Sequence, residues 1–460
     1  MKNFIITILY MIMIKIIYSK LPISNSDELD NIYFIFSNFR HGARTPNKYK
    51  TTPNETDFIN VTWDDSAGEL TKLGIIQQFL IGLKNRKRYD NFLSKKFNPY
   101  EILIYSTNLN RTKSSAFSQL IGLYYNNYNL NISDVKNFTP INFDFEKIDV
   151  KNLITYPIPY FIFKEVKRGN ILRYEKTFDY DRDINCKKVI PIRNKNKKLD
   201  THYIDFYNDF KLYMQDFLEK NYGFDFSKED KFEQLHRFCD ALISQITHNK
   251  THELLIKYRN VSETYLRCIE YEKLKLFNIE QGGQSNFTGE MTMSSIMLKI
   301  IDYMEYRINN NNRTEIIKNY PKFVLYSTHD TTLASMGRYI LSTFNYTISY
   351  PYYASNEVFE LRKYNNEFYV EFYFDDILGF NISFNEFKSK VLKVSWNERS
   401  IIDYCDSYNT IDFILIGISF GIVIVCLVIF TFVLLIFKYD NKGEFLNMKN
   451  NDSNSIVPKE

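Results

Sequence analysis

The chain has 460 residues, of which 45% are hydrophobic and 17% aromatic, and its 58 basic and 54 acidic side chains leave a formal net charge of +4. This length accommodates one large domain with insertions or two domains, and the hydrophobic content excludes general disorder. The near balance of charge excludes the broad basic surface of nucleic-acid-binding proteins, so we expect no nucleic-acid partner.

The N-terminus has the pattern of a secretory signal peptide. Lys2 precedes an apolar run over residues 4–14, and Ser19 provides a small residue for cleavage. Because Lys15 interrupts the apolar region, an uncleaved anchor is the competing interpretation. We assign residues 1–19 to a signal peptide.

A second apolar segment lies near the other end of the chain. Residues 413–437 contain no charged side chain and exceed the ~20 residues that a bilayer-spanning helix needs. Lys438 and further lysines follow, which favours a cytosolic C-terminus. The sequence therefore predicts a single-pass type I membrane protein, with a lumenal or extracellular ectodomain over 20–410, a transmembrane helix over 411–437 and a cytosolic tail over 438–460.

Cysteines and glycosylation signals fit this placement. The four cysteines of the ectodomain allow three pairings; we favour a bridge from Cys186 to Cys405, which ties the chain end to the body, and a local bridge from Cys239 to Cys268. Asn-X-Ser/Thr signals are consistent with a glycosylated ectodomain. The candidate glycosylation sites are Asn54, Asn60, Asn131, Asn137, Asn249, Asn260, Asn286, Asn312, Asn345 and Asn381. A further signal at Asn110 lies in a stretch assigned to the site below, so we expect it to be unmodified.

The ectodomain begins with a predicted strand over residues 32–37, which is rich in aromatic and β-branched side chains. The sequence RHGARTP, residues 40–46, follows it directly. Two guanidiniums, an imidazole and a glycine within a few residues suit an anion site around a nucleophile. Strand ends of open α/β sheets bind ligands, and a helix beginning just beyond would favour an anion there.

The next elements repeat this arrangement. A helix that packs one face on the sheet begins after Thr71, its candidate N-cap. A second strand is predicted over 101–106 and a further helix over 114–124, with Arg111 between them. A lone arginine is usually a surface residue, but this one stands at a strand-to-helix connection, as the arginines of RHGARTP do.

The middle of the chain has a different character. Lys, Asn and aromatic residues dominate, and few runs alternate, apart from a clear amphipathic helix over 232–246. We interpret His236 in this helix as a surface residue. The region is predicted to be a mostly helical insertion that caps the core and shapes the substrate entrance. A basic run over 190–200 is predicted to be a solvated loop, as charge runs usually are, and attraction of polyanionic substrates is the alternative.

The core pattern then returns, with a helix over 288–308 and a third strand over 322–327. His329 and Asp330 follow that strand, in the position that RHGARTP occupies after the first. An adjacent His and Asp in a loop is otherwise a common turn with a helix cap. A helix and a β-hairpin that turns at residues 365–366 follow.

Three motifs together resemble the histidine acid phosphatases, branch 2 of the histidine phosphatase superfamily. The motifs are RHGARTP at 40–46, STNLNRT at 106–112 and THDTTL at 328–333, in the order of the family and with matching strand contexts. The similarity spans about residues 31–375 and is weakest in the predicted cap.

The resemblance implies an α/β fold with a Rossmann-like sheet core, helices on both faces and a mostly α-helical cap. To this the apolar C-terminal segment would add one transmembrane helix. The core would comprise about residues 30–138 and 285–400, and the cap about 139–284. Asn356 stands where relatives often carry a cysteine, so their disulfide framework cannot be copied. A homodimer is typical of the family, but the sequence does not indicate the oligomeric state.

The resemblance also implies a role for each motif residue. His41 would be the nucleophile that forms a phosphohistidine, which water then hydrolyses. Asp330 would protonate the leaving-group oxygen. The residues that would bind the phosphate are Arg40, Arg44, Arg111 and His329, the last as a further positive donor. Guanidiniums can neutralise the phosphoryl oxygens, so no metal and no other cofactor is expected.

The sequence thus predicts an acid phosphatase whose partner is a phosphomonoester substrate. The optimum should be acidic, because Asp330 must carry a proton while the arginines keep His41 neutral. Phytase-like, inositol polyphosphate and lysophospholipid specificities are alternatives, and so is a non-catalytic phosphate-binding membrane glycoprotein. Its location would be the lysosome, the endosome or the plasma membrane.

Overall fold

The computed structural model describes most of the chain between residues 31 and 397 and a short C-terminal segment. The described residues are 31–47, 63–124, 164–165, 200–226, 231–250, 259–280, 287–310, 320–397, 399–401, 404 and 421–435. They belong to two compact units, one within residues 1–398 and one within residues 399–460. All of the elements labelled below belong to the first unit.

The first unit contains seven described strands and eight described α-helices. The strands are β1 (Ile32–Arg40), β2 (Ile102–Ser106), β3 (Lys164–Glu165), β4 (Phe323–Thr328), β5 (Asn356–Tyr364), β6 (Glu367–Phe374) and β7 (Ile377–Ser383). The helices are α1 (Lys72–Arg88), α2 (Asn110–Leu123), α3 (Thr201–Tyr222), α4 (Lys231–Thr247), α5 (Val261–Leu274), α6 (Phe287–Asn309), α7 (Asp330–Phe344) and α8 (Phe384–Val394), and a π-helical segment, Lys275–Glu280, follows α5.

The strands form one mixed sheet in the order β3-β2-β4-β1-β5-β6-β7. The first four strands in this order are parallel to one another, and each of the last three is antiparallel to the strands beside it. The parallel register aligns Arg40 with Thr328 and Ser106 with Ser327. The carboxyl ends of β1, β2 and β4 therefore meet at one edge of the sheet, which is where open α/β sheets bind ligands.

The first strand is longer than predicted. It ends at Arg40 rather than at residue 37, because β4 and β5 pair with it on both sides up to its end. The sequence pattern did not show this extension, since polar residues such as Asn38 replace the apolar run there. As a result, Arg40 is held by the sheet itself rather than by a loop.

Helices cover both faces of the sheet. On one face Phe34 and Phe36 pack against α6 and α7, and on the other Ile35 and Phe39 pack against side chains of α2 such as Leu120. This division follows from the alternation of side chains along a strand. The predicted α/β core with helices on both faces is confirmed.

The described part of the predicted cap is mostly helical, although β3 within it pairs with β2 of the sheet. Helices α3, α4 and α5 share a hydrophobic core that includes Phe210, Leu242 and Ile269. A disulfide joins Cys239 on α4 to Cys268 on α5, which is one of the two bridges favoured from the sequence. The other, between Cys186 and Cys405, lies outside the described residues.

The predictions for the two ends of the chain concern residues that are only partly described. Among the described residues, no helix is both long and apolar enough to cross a membrane. Residues 421–435, within the predicted span over 411–437, form a helix with exposed apolar side chains. The rest of that span, the tail and the predicted signal peptide lie outside the described residues.

Four candidate glycosylation sites are described, and all four are exposed. They are Asn249, Asn260, Asn345 and Asn381. The remaining six lie outside the described residues. Asn110 is also exposed, as the first residue of α2.

Candidate active site

Every residue that the sequence assigned to the site lies at the carboxyl edge of the parallel strands. His41 follows β1 and His329 follows β4, and the backbone N–H of His41 donates to Thr328 O at 3.1 Å. Arg111 is in the first turn of α2, which begins just after β2. The prediction that Arg111 lies in a loop before a helix starting at residue 114 was therefore wrong. The helix begins earlier, and its N-terminus faces the site.

The chain after His41 is fixed by close backbone packing. A Cβ atom on Gly42 would lie 2.3 Å from Gly74 O, so only glycine allows this loop to contact α1. The N–H of Gly42 donates to Ser115 Oγ, and that of Ala43 donates to Gln77 Oε1 at 2.7 Å. Thr71 caps α1 as predicted, because its side chain accepts from Gly74 N. The loop thus has little freedom to move the imidazole.

The His41 ring is held through Nδ1, which leaves Nε2 without a proton. Its Nδ1 lies 2.9 Å from Gly42 O, and since a carbonyl can only accept, Nδ1 carries the proton. This tautomer leaves a lone pair on Nε2. Burial, together with Arg111, Arg40 and the other nearby cations, holds the pKa of His41 well below its usual value. These surroundings therefore favour the neutral imidazole.

Three buried or partly buried arginines surround the imidazole, and each has a donor left over. Arg40 donates through Nη1 to Pro351 O at 2.7 Å and pairs through Nη2 with Asp330 Oδ2 at 2.7 Å. Arg44 pairs through Nη2 with Asp240 Oδ1 at 2.6 Å. Nη1 of Arg111 donates to Gly68 O at 3.4 Å. Among the described residues, the buried Nε of all three arginines has no hydrogen-bond partner.

Arg111 differs from the other two in its electrostatics. Arg40 and Arg44 each have a carboxylate partner. Burial is the largest single influence on each pKa and lowers it, but the carboxylates and nearby tyrosines together outweigh burial and raise the pKa of both groups. Burial and the charge of Arg44 lower the pKa of Arg111 to about 10. Arg111 still carries its charge at neutral pH. A bound anion would offset the repulsion between Arg111 and Arg44.

His329 lies in the site, and its role as a positive donor to phosphate stays a prediction. Burial and Arg111 lower its pKa to about 3, so the ring is neutral in the structure. Its Nε2 lies 2.9 Å from Thr107 Oγ1. A phosphate dianion beside the ring would oppose this shift and favour the protonated form.

Asp330 is the first residue of α7 and is the most accessible carboxylate of the site, with 24% of its side chain exposed. Burial favours the neutral acid, but Arg40, Arg44 and the Thr331 N–H outweigh it, so the pKa of Asp330 lies below its usual value. An incoming phosphate would offset the arginine charges and raise that pKa again.

Two further side chains complete the site and were missed from the sequence. The ring of Tyr353 lies 4.4 Å from the Arg40 guanidinium carbon and 6.0 Å from the His41 ring. Asp240 on α4 binds Arg44. Neither residue belongs to the three motifs, although Asp240 could have been suspected as an acidic residue in an amphipathic helix.

The donor set of the site suits an anion rather than a metal. Its side chains are mainly guanidiniums and imidazoles whose N–H groups point to oxygen acceptors. Among the residues that the structure describes, no cluster of three or more His, Cys, Asp or Glu side chains is arranged to hold a metal ion.

Comparison with known proteins gives the same picture of fold and family. The profile of the histidine phosphatase superfamily (branch 2) matches residues 38–155. Prostatic acid phosphatase of Homo sapiens is 25% identical over 351 residues, which cover 74% of this chain and 76% of the relative. Lysosomal acid phosphatase of Xenopus laevis is 24% identical over 377 residues, covering 80% and 74%.

Among solved structures, the phytase of Citrobacter braakii superposes with a TM-score of 0.54 at 11% identity, covering 80% of this chain and 98% of that one. Hafnia alvei phytase in complex with myo-inositol hexakis sulphate gives a TM-score of 0.53 at 12% identity, covering 80% and 97%. At these identities the similarity concerns the fold alone.

Proposed function

The chain belongs to the histidine phosphatase superfamily, branch 2, and we propose that it is an acid phosphatase that hydrolyses phosphate monoesters through a phosphohistidine at His41. One observation carries the proposal. Three arginines, each with an Nε that has no partner among the described residues, surround a neutral imidazole whose Nε2 keeps its lone pair. Guanidinium N–H groups match phosphate oxygens in geometry and charge, so this arrangement supports phosphoryl transfer.

In the first step, Nε2 of His41 attacks phosphorus and the bond from phosphorus to the ester oxygen breaks. Asp330 gives its proton to that oxygen, so the leaving group departs as a neutral alcohol. The arginines stabilise the charge on the equatorial oxygens of the transition state, where phosphoryl transfer needs it most. The proton on Nδ1 of His41 stays there throughout, in its hydrogen bond to Gly42 O.

In the second step, water attacks phosphorus and the bond between phosphorus and Nε2 breaks. Asp330, now a carboxylate, takes a proton from the attacking water. Inorganic phosphate leaves and the lone pair returns to Nε2. The same carboxyl group therefore acts as acid and then as base, and the enzyme ends in its starting protonation state.

The test is hydrolysis of p-nitrophenyl phosphate by the purified chain at about pH 5, where a carboxyl group is far more often protonated than at about pH 8. His41→Ala should remove turnover. His202→Ala is the matched control, because His202 is exposed on α3 and should leave the rate unchanged. A wild-type chain without activity on this ester, on a lysophospholipid phosphate and on phytate would refute the proposal, and so would an active His41→Ala variant.

We also propose that residues 411–437 anchor the protein in a membrane, with the catalytic unit in a lysosomal or extracellular compartment. The uncharged run over 413–437 supports the anchor, and the relatives are named lysosomal and prostatic acid phosphatases. Alkaline carbonate extraction of membranes tests it. The full chain should stay in the pellet, and a chain ending at residue 410 should be released. Release of both would reject the anchor.

A further inference from the structure

Helix α4 carries polar residues at every fourth position, and this stripe faces the active site. Asp240, Ser244 and His248 follow one another at a spacing of four, which places them on one side of the helix. His248 comes directly after the last helical residue and continues the helical hydrogen bonding, since its N–H donates to Ser244 O. We call these three residues the polar stripe.

The polar stripe contacts the core at three places, and each contact holds a different part of the site. Asp240 accepts from Arg44 Nη2 at 2.6 Å, and its other oxygen accepts from the backbone N–H of Asn47 at 2.9 Å. These bonds occupy the end of the guanidinium, which leaves Nε of Arg44 for another acceptor. Asp240 thereby fixes the orientation of the Arg44 guanidinium.

The second contact holds the aromatic ring beside the imidazole. Ser244 Oγ lies 2.9 Å from the hydroxyl of Tyr353. The Tyr353 ring lies beneath Arg40, and the N–H of the next residue, Ala354, donates to His41 O. Ala354 has a positive φ of 66°, a conformation that needs support from its surroundings in a residue other than glycine.

The third contact holds the loop after the imidazole. Nδ1 of His248 donates to Ser244 O, and its Nε2 lies 2.7 Å from Thr71 Oγ1. Thr71 in turn donates its backbone N–H to Ala43 O. His248 therefore helps to hold Thr71 in place. Thr71 caps α1 and bonds to Ala43, which lies two residues after His41.

The stripe itself is fixed in the cap. The disulfide between Cys239 and Cys268 joins α4 to α5 beside Asp240. One turn earlier, His236 pairs with Glu272 of α5 at 2.7 Å. His236 is therefore a partner of α5, which differs from the surface residue expected from the sequence. A rigid support of this kind is what positioning of a site requires.

We propose that the polar stripe is a positioning element, which sets the affinity of the site for the phosphate group by fixing Arg44, Tyr353 and the loop after His41. The inference rests on the proposed phosphatase function. The alternative is that Asp240 only reduces the positive charge of the site. The two roles predict opposite changes in phosphate affinity when Asp240 is removed. Without a positioning carboxylate the phosphate is bound less well, whereas without a dampening carboxylate it is bound more tightly.

The first test is a series at Asp240, with KM for p-nitrophenyl phosphate and the competitive inhibition constant of inorganic phosphate as readouts. We expect Asp240→Ala to raise both by about tenfold, the scale of a lost charge-assisted hydrogen bond. Asp240→Asn keeps an acceptor oxygen and should raise both by less. Thr247→Ala is the control, because Thr247 Oγ1 bonds only within its own helix in the contacts seen here, and it should change neither value.

Both readouts refer to the active fraction of the protein, so partial misfolding of a variant does not affect them. A fall in both constants in Asp240→Ala would overturn the positioning role, and so would unchanged values. A wild-type chain without phosphatase activity would instead contradict the proposed function, so the two failures are distinguishable.

The second test is a double-mutant cycle across the contact between cap and core. Ser244→Ala and Tyr353→Phe each remove one hydroxyl of a single hydrogen bond. We expect each to raise KM by about threefold, and the double variant to be no worse than either, because the two share one interaction. Losses that multiply in the double variant, or single variants that behave as wild type, would reject the contact as a positioning element.

Discussion

Arg40 and Asp330 form an ion pair, with Nη2 of the guanidinium 2.7 Å from Oδ2 of the carboxylate. The pair connects the last residue of β1 to the first residue of α7. In the proposed mechanism it also connects a phosphate-binding group to the proton donor. A phosphate that binds Arg40 weakens the ion pair between Arg40 and Asp330. It also brings negative charge close to Asp330. Both effects raise the pKa of Asp330. Substrate binding would thus prepare the acid that the reaction needs.

The role of Asp330 predicts a dependence on the leaving group. Asp330→Ala should lower kcat by about 10²- to 10⁴-fold for an alkyl phosphate, the usual range for a lost general acid. The loss should be much smaller for p-nitrophenyl phosphate, whose leaving group departs without a proton. The measurement is kcat for both esters in the wild type and the variant. Equal losses for the two esters would exclude the general-acid role.

The pH dependence follows from the same two groups. The pKa of His41 is held well below its usual value, so acid protonates the nucleophile less readily than it protonates an ordinary histidine. Asp330 loses its proton as the pH rises, and activity on an alkyl phosphate should therefore be higher at about pH 5 than at about pH 8.

A control is needed for this profile, because a phosphate monoester itself changes charge near about pH 6. The profile of Asp330→Ala on p-nitrophenyl phosphate supplies it. In the wild type, deprotonation of Asp330 accounts for part of the loss of activity at alkaline pH. We expect Asp330→Ala to lack that part of the loss. An identical fall in both proteins would assign the pH dependence to the substrate.

The arginines can be tested one at a time. Arg111 has no carboxylate partner among the contacts described, so Arg111→Ala removes a proposed phosphate ligand and leaves no carboxylate unpaired. We expect kcat/KM to fall by about 10²- to 10³-fold, as when one donor to a developing charge is lost. The control is Lys113→Ala. Lys113 lies two residues further along the same helix and donates to the Asn108 side chain in an exposed hydrogen bond. A similar loss in both variants would indicate a general charge effect.

The sequence predicted the core of the fold and the six motif residues because both depend on local signals. Apolar runs of strand length alternate with helical periodicity, and each motif follows a strand. Parallel strands bring their carboxyl ends to one edge, so His41, Arg111 and Asp330 could be placed together without a structure. The ends of elements were less certain: tertiary pairing extended β1 to Arg40, and α2 begins at Asn110 rather than at residue 114.

Contacts between cap and core could not be predicted in this way. Asp240 and Arg44 are separated by 196 residues, and nothing local in either sequence indicates the partner. The same holds for Ser244 and Tyr353. The charge state of His329 could not be predicted from the sequence either, because it depends on how deeply the ring is buried and on how many guanidiniums lie near it.

Gly42 provides a test of the loop geometry. Gly42→Ala would place a Cβ atom 2.3 Å from the backbone oxygen of Gly74. Because the atoms that this Cβ would meet belong to the backbone, no flexible side chain can move to relieve the clash. We expect a loss of about 1–3 kcal/mol in the free energy of unfolding, together with a drop in kcat as His41 is displaced. Gly379→Ala is the comparison, because its added Cβ would meet only side-chain rings of β6 and a nearby tyrosine. Unfolding in denaturant should show the larger loss for Gly42→Ala, and equal losses would contradict the account.

The central claim is that His41 carries the phosphoryl group between the two steps. Rapid quenching of the reaction at neutral or alkaline pH, followed by mass spectrometry of the peptide that contains RHGARTP, measures it directly. We predict a phosphoryl group on His41 that is lost in acid and is absent from His41→Ala. A wild-type protein that turns over substrate while this peptide remains unmodified, or a phosphoryl group that resists acid, would contradict it.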